Sequence, residues 1–264
     1  MAEVFDKFKE LTIERRDNGV VLITLDRPKQ LNAMTYGMHG ELARIWDAVQ
    51  QDKSTKVAVV TGRGRAFCSG NDLNNPDPDF DMVREIMDDA ISIVRGMIEC
   101  NKPIVSAING VAVGAGLAVG LLADISIAAA DAKLIDGHTR VGVAAGDHAC
   151  VIWPLLCGMA KAKYYLWNLE PLTGAEAERI GIVTKALPTD QVLPEALRIA
   201  GALADMSQTG IRGTKRALNG WLRQAMPIFE HSAALEMVDF FGPDVHEARA
   251  AFRAKRPPKF PSAG

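Results

Sequence analysis

The residues best suited to chemistry begin with a run of small and apolar side chains, Asn109 to Asp124, in which Gly114-Ala115-Gly116 divides two kinds of sequence. Before it, Ile104 to Ile108 is short and rich in β-branched residues, which suits a buried strand, and Asn109-Gly110 is a turn pair that ends it. After it, Leu117 to Ala123 holds good helix formers and no proline, which predicts a helix. The first backbone N–H groups of such a helix lack partners, and glycines let a ligand approach them closely. A carbonyl oxygen gaining negative charge would be stabilised there, as in an oxyanion hole. A packed central helix whose glycines serve only packing accounts for the same residues. The uncharged run Ile104 to Ala123 is long enough to span a bilayer, but the turn pair breaks it and no second such run accompanies it. Gly114, Gly116 and Gly120 miss the dinucleotide-binding spacing by one position.

The rest of the chain must position this stretch. Its 264 residues, 48% hydrophobic and 23% charged, are enough for a large core in one domain or one domain plus an appendage. A net charge of −2 gives no basic field for nucleic acid. Cys68, Cys100, Cys150 and Cys157 form no C-x-x-C pair, so neither a zinc ribbon nor a disulfide framework is expected, and a reduced cytoplasmic setting fits. Met1 to Lys7 reads as no signal peptide, Ser262-Ala263-Gly264 is no peroxisomal address, and no membrane partner is expected.

In chain order, Leu11 to Arg15 and Val20 to Leu25 flank Asp17-Asn18-Gly19 as an opening hairpin. Helical spacing over Tyr36 to Gln51 precedes a β-branched strand, Lys56 to Thr61, and then a second glycine-rich loop from Gly62 to Asp72, placed after a strand as ligand loops are. Phe80 to Glu99 reads as an amphipathic helix that could act as a lid. Ile125 to Ala129 is the next strand, Val151 to Trp167 and Gly174 to Ile180 are helical, and Ile182 to Leu187 is one more strand. From Gln191 onward only helices are expected: Leu193 to Met206, Thr209 to Gln224, Pro227 to Phe241 and Asp244 to Ala254. This α/β pattern implies a strand-rich region, 1–189, and a helical region, 190–264.

Five segments resemble the crotonase superfamily, the enoyl-CoA hydratase and isomerase relatives: Leu25 to Met34, Gly64 to Asp72, Asn109 to Asp124, Leu172 to Val183 and Phe241 to Arg256. The resemblance implies a spiral of β-β-α turns with a C-terminal helical trimerisation region, assembled as a trimer or dimer of trimers and acting on acyl-CoA thioesters, with coenzyme A as part of the substrate and no separate cofactor. It places the thioester oxygen on the backbone N–H groups of Asn71 and Ala115. It places coenzyme A in the loop Arg27 to Leu31, with Lys29 near the phosphates, and has Phe252 and Lys255 of a neighbouring subunit complete the pocket.

The departure from the family pattern concerns the reaction itself. A hydratase of this family carries two glutamates, and the matching positions here are Ala118 and His138. The polar residues left near the site are Asp136, His138, Asp147 and His148. Histidine transfers protons near neutral pH, and an aspartate can fix its tautomer or activate water. Outlying members that hydrolyse a β-diketone use a His followed nine residues later by an Asp, a spacing that His138 and Asp147 reproduce, and the dehalogenase branch uses an Asp near position 147 as nucleophile. His138 and Asp147 are therefore expected to be catalytic. No metal is expected, since the spacing of the four polar residues matches no ligand motif. Cys68 is expected to be a small buried hydrophobe. The activities implied are an oxyanion-stabilised acyl-CoA reaction, or hydrolysis of a thioester or 1,3-dicarbonyl, or, after loss of both glutamates, non-catalytic acyl-CoA binding.

Overall fold

The computed structural model describes residues 4–72 and 74–264; Met1 to Glu3, the start of the stretch read for a signal peptide, lie outside it. An opening hairpin pairs β1 (Leu11–Arg15) with β2 (Val20–Leu25) antiparallel, and α1 (Tyr36–Gln51) follows, capped by the Thr35 hydroxyl accepting from the Met38 N–H. Three turns of one pattern come next. The first is β3 (Val57–Gly62), β4 (Ala66–Cys68) and α2 (Phe80–Glu99). The second is β5 (Ile104–Ile108), β6 (Val111–Val113) and α3 (Ala115–Leu122). The third is β7 (Ile125–Ala129), β8 (Lys133–Ile135), α4 (Ala149–Cys157) and α5 (Met159–Asn168). A last partial turn holds β9 (Leu172–Thr173), α6 (Gly174–Ile180) and β10 (Lys185–Leu187).

Each turn gives one strand to each of two sheets, a six-stranded one ordered β1-β2-β3-β5-β7-β10 and a four-stranded one ordered β4-β6-β8-β9. Successive turns stack parallel, as β-β-α units wound in one direction must. This is the crotonase-type spiral that the resemblance implies. β2, β3 and β5 are buried along their whole length, which explains their near-continuous apolar sequence.

The glycines at the elbows between sheets are steric requirements. A Cβ on Gly62 would lie 2.3 Å from the Ala66 carbonyl oxygen, and one on Gly110 would lie 2.3 Å from that of Arg65. Asn109 staples the two elbows together: its Nδ2 donates to the Gly64 carbonyl at 2.8 Å and its Oδ1 accepts from the Gly62 N–H at 3.1 Å. Asn109-Gly110 thus hands the chain from one sheet to the other, and a strand, β6, stands between this turn and the helix. β4, β6 and β8 are absent from the sequence-based expectation because three residues are too few to show an alternation. The strand expected over Ile182 to Leu187 is confined to β10; Ile182 instead closes α6, its N–H donating to the Ala177 carbonyl at 2.8 Å.

Four helices finish the chain: α7 (Thr189–Asp205), α8 (Gln208–Gln224), α9 (Met226–Asp239) and α10 (Pro243–Arg253). α7 lies on β3, β5 and β7, and its Val192, Ala196 and Ala200 belong to the main core; α9 packs against α2 and α4. α2, expected as a lid, is a wall: it buries Val83, Met87, Ala90, Ile93, Val94, Met97 and Ile98 and packs along α1 and α3. Among the described residues no helix is long and apolar enough to cross a membrane, and the uncharged run Ile104 to Ala123 is divided among β5, β6 and α3.

Candidate functional site

Two neighbouring parallel strands lead into two backbone N–H groups that have no partner among the described residues. In the β4/β6 pair Cys68 lies opposite Ala112, and Asn71 and Ala115 each lie three residues further along. A bridge to Met34 fixes the first loop: the Met34 N–H donates to the Gly70 carbonyl at 2.8 Å and the Asp72 N–H to the Met34 carbonyl at 2.9 Å. Those bonds use the groups on either side of Asn71 and leave its own N–H without a partner among the described residues. Ala115 opens α3, and its N–H is likewise unpaired among the described residues. Gly114 turns the chain into the helix at φ 53, and Gly116 has no room for a side chain, since its Cβ would lie 2.3 Å from the Cys68 Cβ. Cys68 is buried, and burial pushes its thiol up to about 11, so it is a packing residue here, as the sequence suggests.

Beside Ala115 is a cavity of about 10 Å³, room for about one water. It is lined by His39 of α1, Ala90, Ile93 and Val94 of α2, Ala115 and Ala118 of α3, and Asp147. Ala118 leaves its side of the cavity apolar, so Asp147 and His39 are the residues able to exchange a proton there.

Asp147 belongs to a buried cluster built around His138. The His138 ring meets Asp136 Oδ1 through Nδ1 at 2.8 Å, and its Nε2 faces Glu236 Oε1 at 3.4 Å and Asp147 Oδ2 at 3.7 Å. Burial alone would strip the proton from this imidazole, but the charges of Asp136, Asp147 and Glu236 outweigh it and hold His138 protonated well above the ordinary histidine range. Asp147 is driven the other way: burial disfavours its charge, yet His148 and His138 keep the carboxylate ionised. Its second oxygen meets His148 Nδ1 at 2.5 Å, and the Trp153 indole nitrogen lies 3.4 Å from His148 Nε2. Indole only donates, so Nε2 accepts and Nδ1 is the nitrogen that donates to Asp147. Burial raises Glu236, against the lowering pull of His138.

The structure therefore brings His138 and Asp147 together, with Asp147 on the cavity and His138 behind it. Glu236 and His39 are missing from the sequence-based set. Glu236 comes from α9, and its only trace in the sequence is Gly146, where a Cβ would lie 2.5 Å from Glu236 Oε2. His39 sits within an ordinary amphipathic pattern that gives no reason to single it out. Donor atoms of Asp136, His138 and Asp147 lie within 4.8 Å of one another, a spacing that could suit a cation. Both ring nitrogens of His138 already face carboxylates, however, so the imidazolium supplies the positive charge this cluster requires.

The residues assigned to coenzyme A take different positions. Arg27 is engaged within the chain: it pairs with Asp72 at 2.8 Å and donates to the Ala33 carbonyl, tying the Arg27 to Met34 loop to the Gly64 to Asp72 loop. Lys29 is exposed on the short turn Pro28–Gln30, and Leu31 follows in the left-handed region at φ 53. Phe252 and Lys255 are both exposed at the end of α10.

Comparison with known proteins identifies the family. The family model described as enoyl-CoA hydratase/isomerase matches residues 15–263. The chain is 32% identical to a probable peroxisomal enoyl-CoA hydratase of Arabidopsis thaliana, covering 81% of this chain and 80% of that protein. It is 30% identical to 2,3-dehydroadipyl-CoA hydratase of Escherichia coli, covering 95% and 98%. A crystal structure of an enoyl-CoA hydratase/isomerase from Mycobacterium paratuberculosis superposes with a TM-score of 0.87 at 31% identity, covering 91% of this chain and 97% of that one. With a β-β-α spiral that superposes on a solved member and a family match over nearly its whole length, this chain belongs to the enoyl-CoA hydratase/isomerase family of the crotonase superfamily.

Proposed function

We propose that the chain acts on an acyl-CoA thioester through an enolate held by the Asn71 and Ala115 N–H groups, with Asp147 as the proton-transferring or water-activating group in place of the family's glutamate pair. One observation carries this reading: Asp147 and Ala115 line the same cavity, and Ala118, at the position where a hydratase would carry an acid, lines it too. Two preorganised donors stabilise an enolate oxygen more than a neutral carbonyl, which lowers the barrier instead of merely tightening binding. His138, charged and shared with Asp136 and Glu236, keeps Asp147 ionised and fixes its position; it is a positioning residue.

Coenzyme A enters as part of the substrate, over the Arg27 to Leu31 loop, with Lys29 near its phosphates. Phe252 and Lys255 would serve the site of a neighbouring subunit in a trimer or dimer of trimers. The apolar side chains exposed on α8 and α9, Leu218, Trp221, Ile228, Leu235 and Val238, support self-association. Four free cysteines fit a reduced cytoplasmic setting.

The test is turnover of crotonyl-CoA, 3-hydroxybutanoyl-CoA and acetoacetyl-CoA by wild type, Asp147→Ala and His138→Ala, with thioester binding measured by calorimetry. Turnover that needs Asp147 supports the proposal, and the substrate used separates hydration from cleavage of a 1,3-dicarbonyl. Turnover that survives both substitutions overturns the site; binding without turnover of any thioester would mark a non-catalytic acyl-CoA-binding protein.

A further inference from the structure

We propose that His39 is a second catalytic residue, delivering and removing the proton at the α-carbon of the same bound thioester on which Asp147 handles water at the β-carbon. The inference rests on the acyl-CoA reading above. Three observations carry it. His39 lines the cavity shared by Ala115, Ala118 and Asp147, and it comes from a different wall, α1. Its ring is buried, and Nδ1 has no hydrogen-bond partner among the described residues; the nearest anion is Asp89 Oδ2 of α2 at 3.8 Å, beyond bonding reach. A structural histidine in a core would have its ring nitrogens satisfied, and a buried polar atom left unsatisfied calls for a working explanation. Finally, His39 is rigidly placed: its N–H donates to the Thr35 carbonyl at 3.0 Å in the first turn of α1, where the Thr35 hydroxyl caps the helix.

The two residues divide the chemistry of the two glutamates. As water oxygen bonds to Cβ of a 2-enoyl thioester, the Asp147 carboxylate takes the water proton and the Cα–Cβ π pair moves toward the thioester oxygen, forming an enolate on the Asn71 and Ala115 N–H groups. The enolate pair then bonds Cα to the proton of the His39 imidazolium, leaving neutral imidazole. Proton return from the Asp147 carboxyl to His39 restores both groups, and the net change is one water added. In reverse, neutral His39 takes the α-proton and the protonated Asp147 gives its proton to the departing hydroxyl.

Two isotopes read the two roles separately. With 3-hydroxybutanoyl-CoA in deuterated, oxygen-18-labelled water, mass spectrometry follows deuterium at Cα and oxygen-18 at Cβ. His39→Gln is expected to slow deuterium entry by about 10²–10⁴-fold, and added imidazole should restore part of that rate in His39→Ala. Asp147→Asn should lose oxygen-18 entry while keeping deuterium exchange. If both His39 variants exchange deuterium at the wild-type rate while Asp147→Asn loses oxygen-18 entry, the role of His39 is overturned and the acyl-CoA reading stands. Loss in the His39 variants without imidazole rescue, together with lost thioester binding, also overturns it, as a structural role would. A wild type that binds the thioester and exchanges neither isotope overturns both.

Discussion

The oxyanion end of the site and the charged end are made in opposite ways. At the first, the proposed donors are the backbone N–H groups of Asn71 and Ala115, and the side chains around them are small so that β4 and the start of α3 can touch. At the second, the backbone is incidental: Asp136, His138 and Asp147 from the third turn meet Glu236 from α9, and their charges set one another's protonation. A site made of backbone depends on glycines and on strand register. A site made of buried charges depends on every partner being present, since an ion left unpaired in the interior costs more than the pair contributes. The two ends should therefore fail differently when altered.

The largest expected effect is at the charged end. Asp147→Asn keeps the shape and removes the base, so turnover of the productive thioester should fall by up to about 10⁴-fold with binding by calorimetry little changed. A variant that binds poorly but turns over bound substrate at the wild-type rate would show that Asp147 belongs to binding. At the other end, Ala115→Pro removes one donor without a side-chain change of charge. Proline is tolerated at the first position of a helix, and the preceding residue is a glycine already at positive φ. A loss of about 10²–10³-fold in kcat with a normal thermal unfolding curve is expected; a normal kcat would remove Ala115 from the oxyanion hole.

The same contrast decides what could be read from the sequence. Backbone turns announce themselves through their neighbours: Gly114 and Gly116 are needed locally, so the helix start at Ala115 is legible from Asn109 to Asp124 alone. The charged end is legible only where its members are close in sequence. His138 and Asp147 share one loop and do meet, but Glu236 lies on a distant helix whose pattern has no reason to mark it, and Gly146 signals a close approach without naming what approaches. His39 is hidden similarly, one polar residue in a helix that otherwise reads as amphipathic. The strand content of the spiral is partly hidden for another reason, because β4, β6 and β8 are too short to carry a period.

Stability separates the two ends further. Replacing His138 by Gln leaves Asp136 and Asp147 buried without their shared cation, an expected loss of about 3 kcal/mol near neutral pH. Because the folded protein raises the pKa of His138, its contribution is complete below the unfolded value, about 6.5, and is lost as pH rises through the higher folded value. Urea unfolding across pH should therefore show wild type and His138→Gln converging on the alkaline side; a gap that widens there would mean the ring is held neutral.

The smallest effect compares one substitution in both places. Gly116→Ala drives a methyl to 2.3 Å from the Cys68 Cβ, and Gly146→Ala drives one to 2.5 Å from both Glu236 Oε2 and the Ser232 carbonyl oxygen. Each should cost about 1–3 kcal/mol as overpacking. Their consequences for chemistry should diverge. At Gly116 the strain separates β4 from α3, so the two N–H groups lose their common aim and kcat falls. At Gly146 the methyl pushes on Glu236, behind His138, and the added substitution Glu236→Ala should recover only part of the stability, because it removes Oε2 and leaves the Cβ at 2.6 Å and the Ser232 carbonyl oxygen at 2.5 Å. Unfolding midpoints and kcat for the two glycine variants and this double variant provide the check. If Glu236→Ala gives no relief to Gly146→Ala, the tight fit between the Gly146 loop and α9 lies in the Ser232 carbonyl and the Glu236 Cβ, and Gly146 is a glycine for the sake of the helix rather than for the carboxyl group.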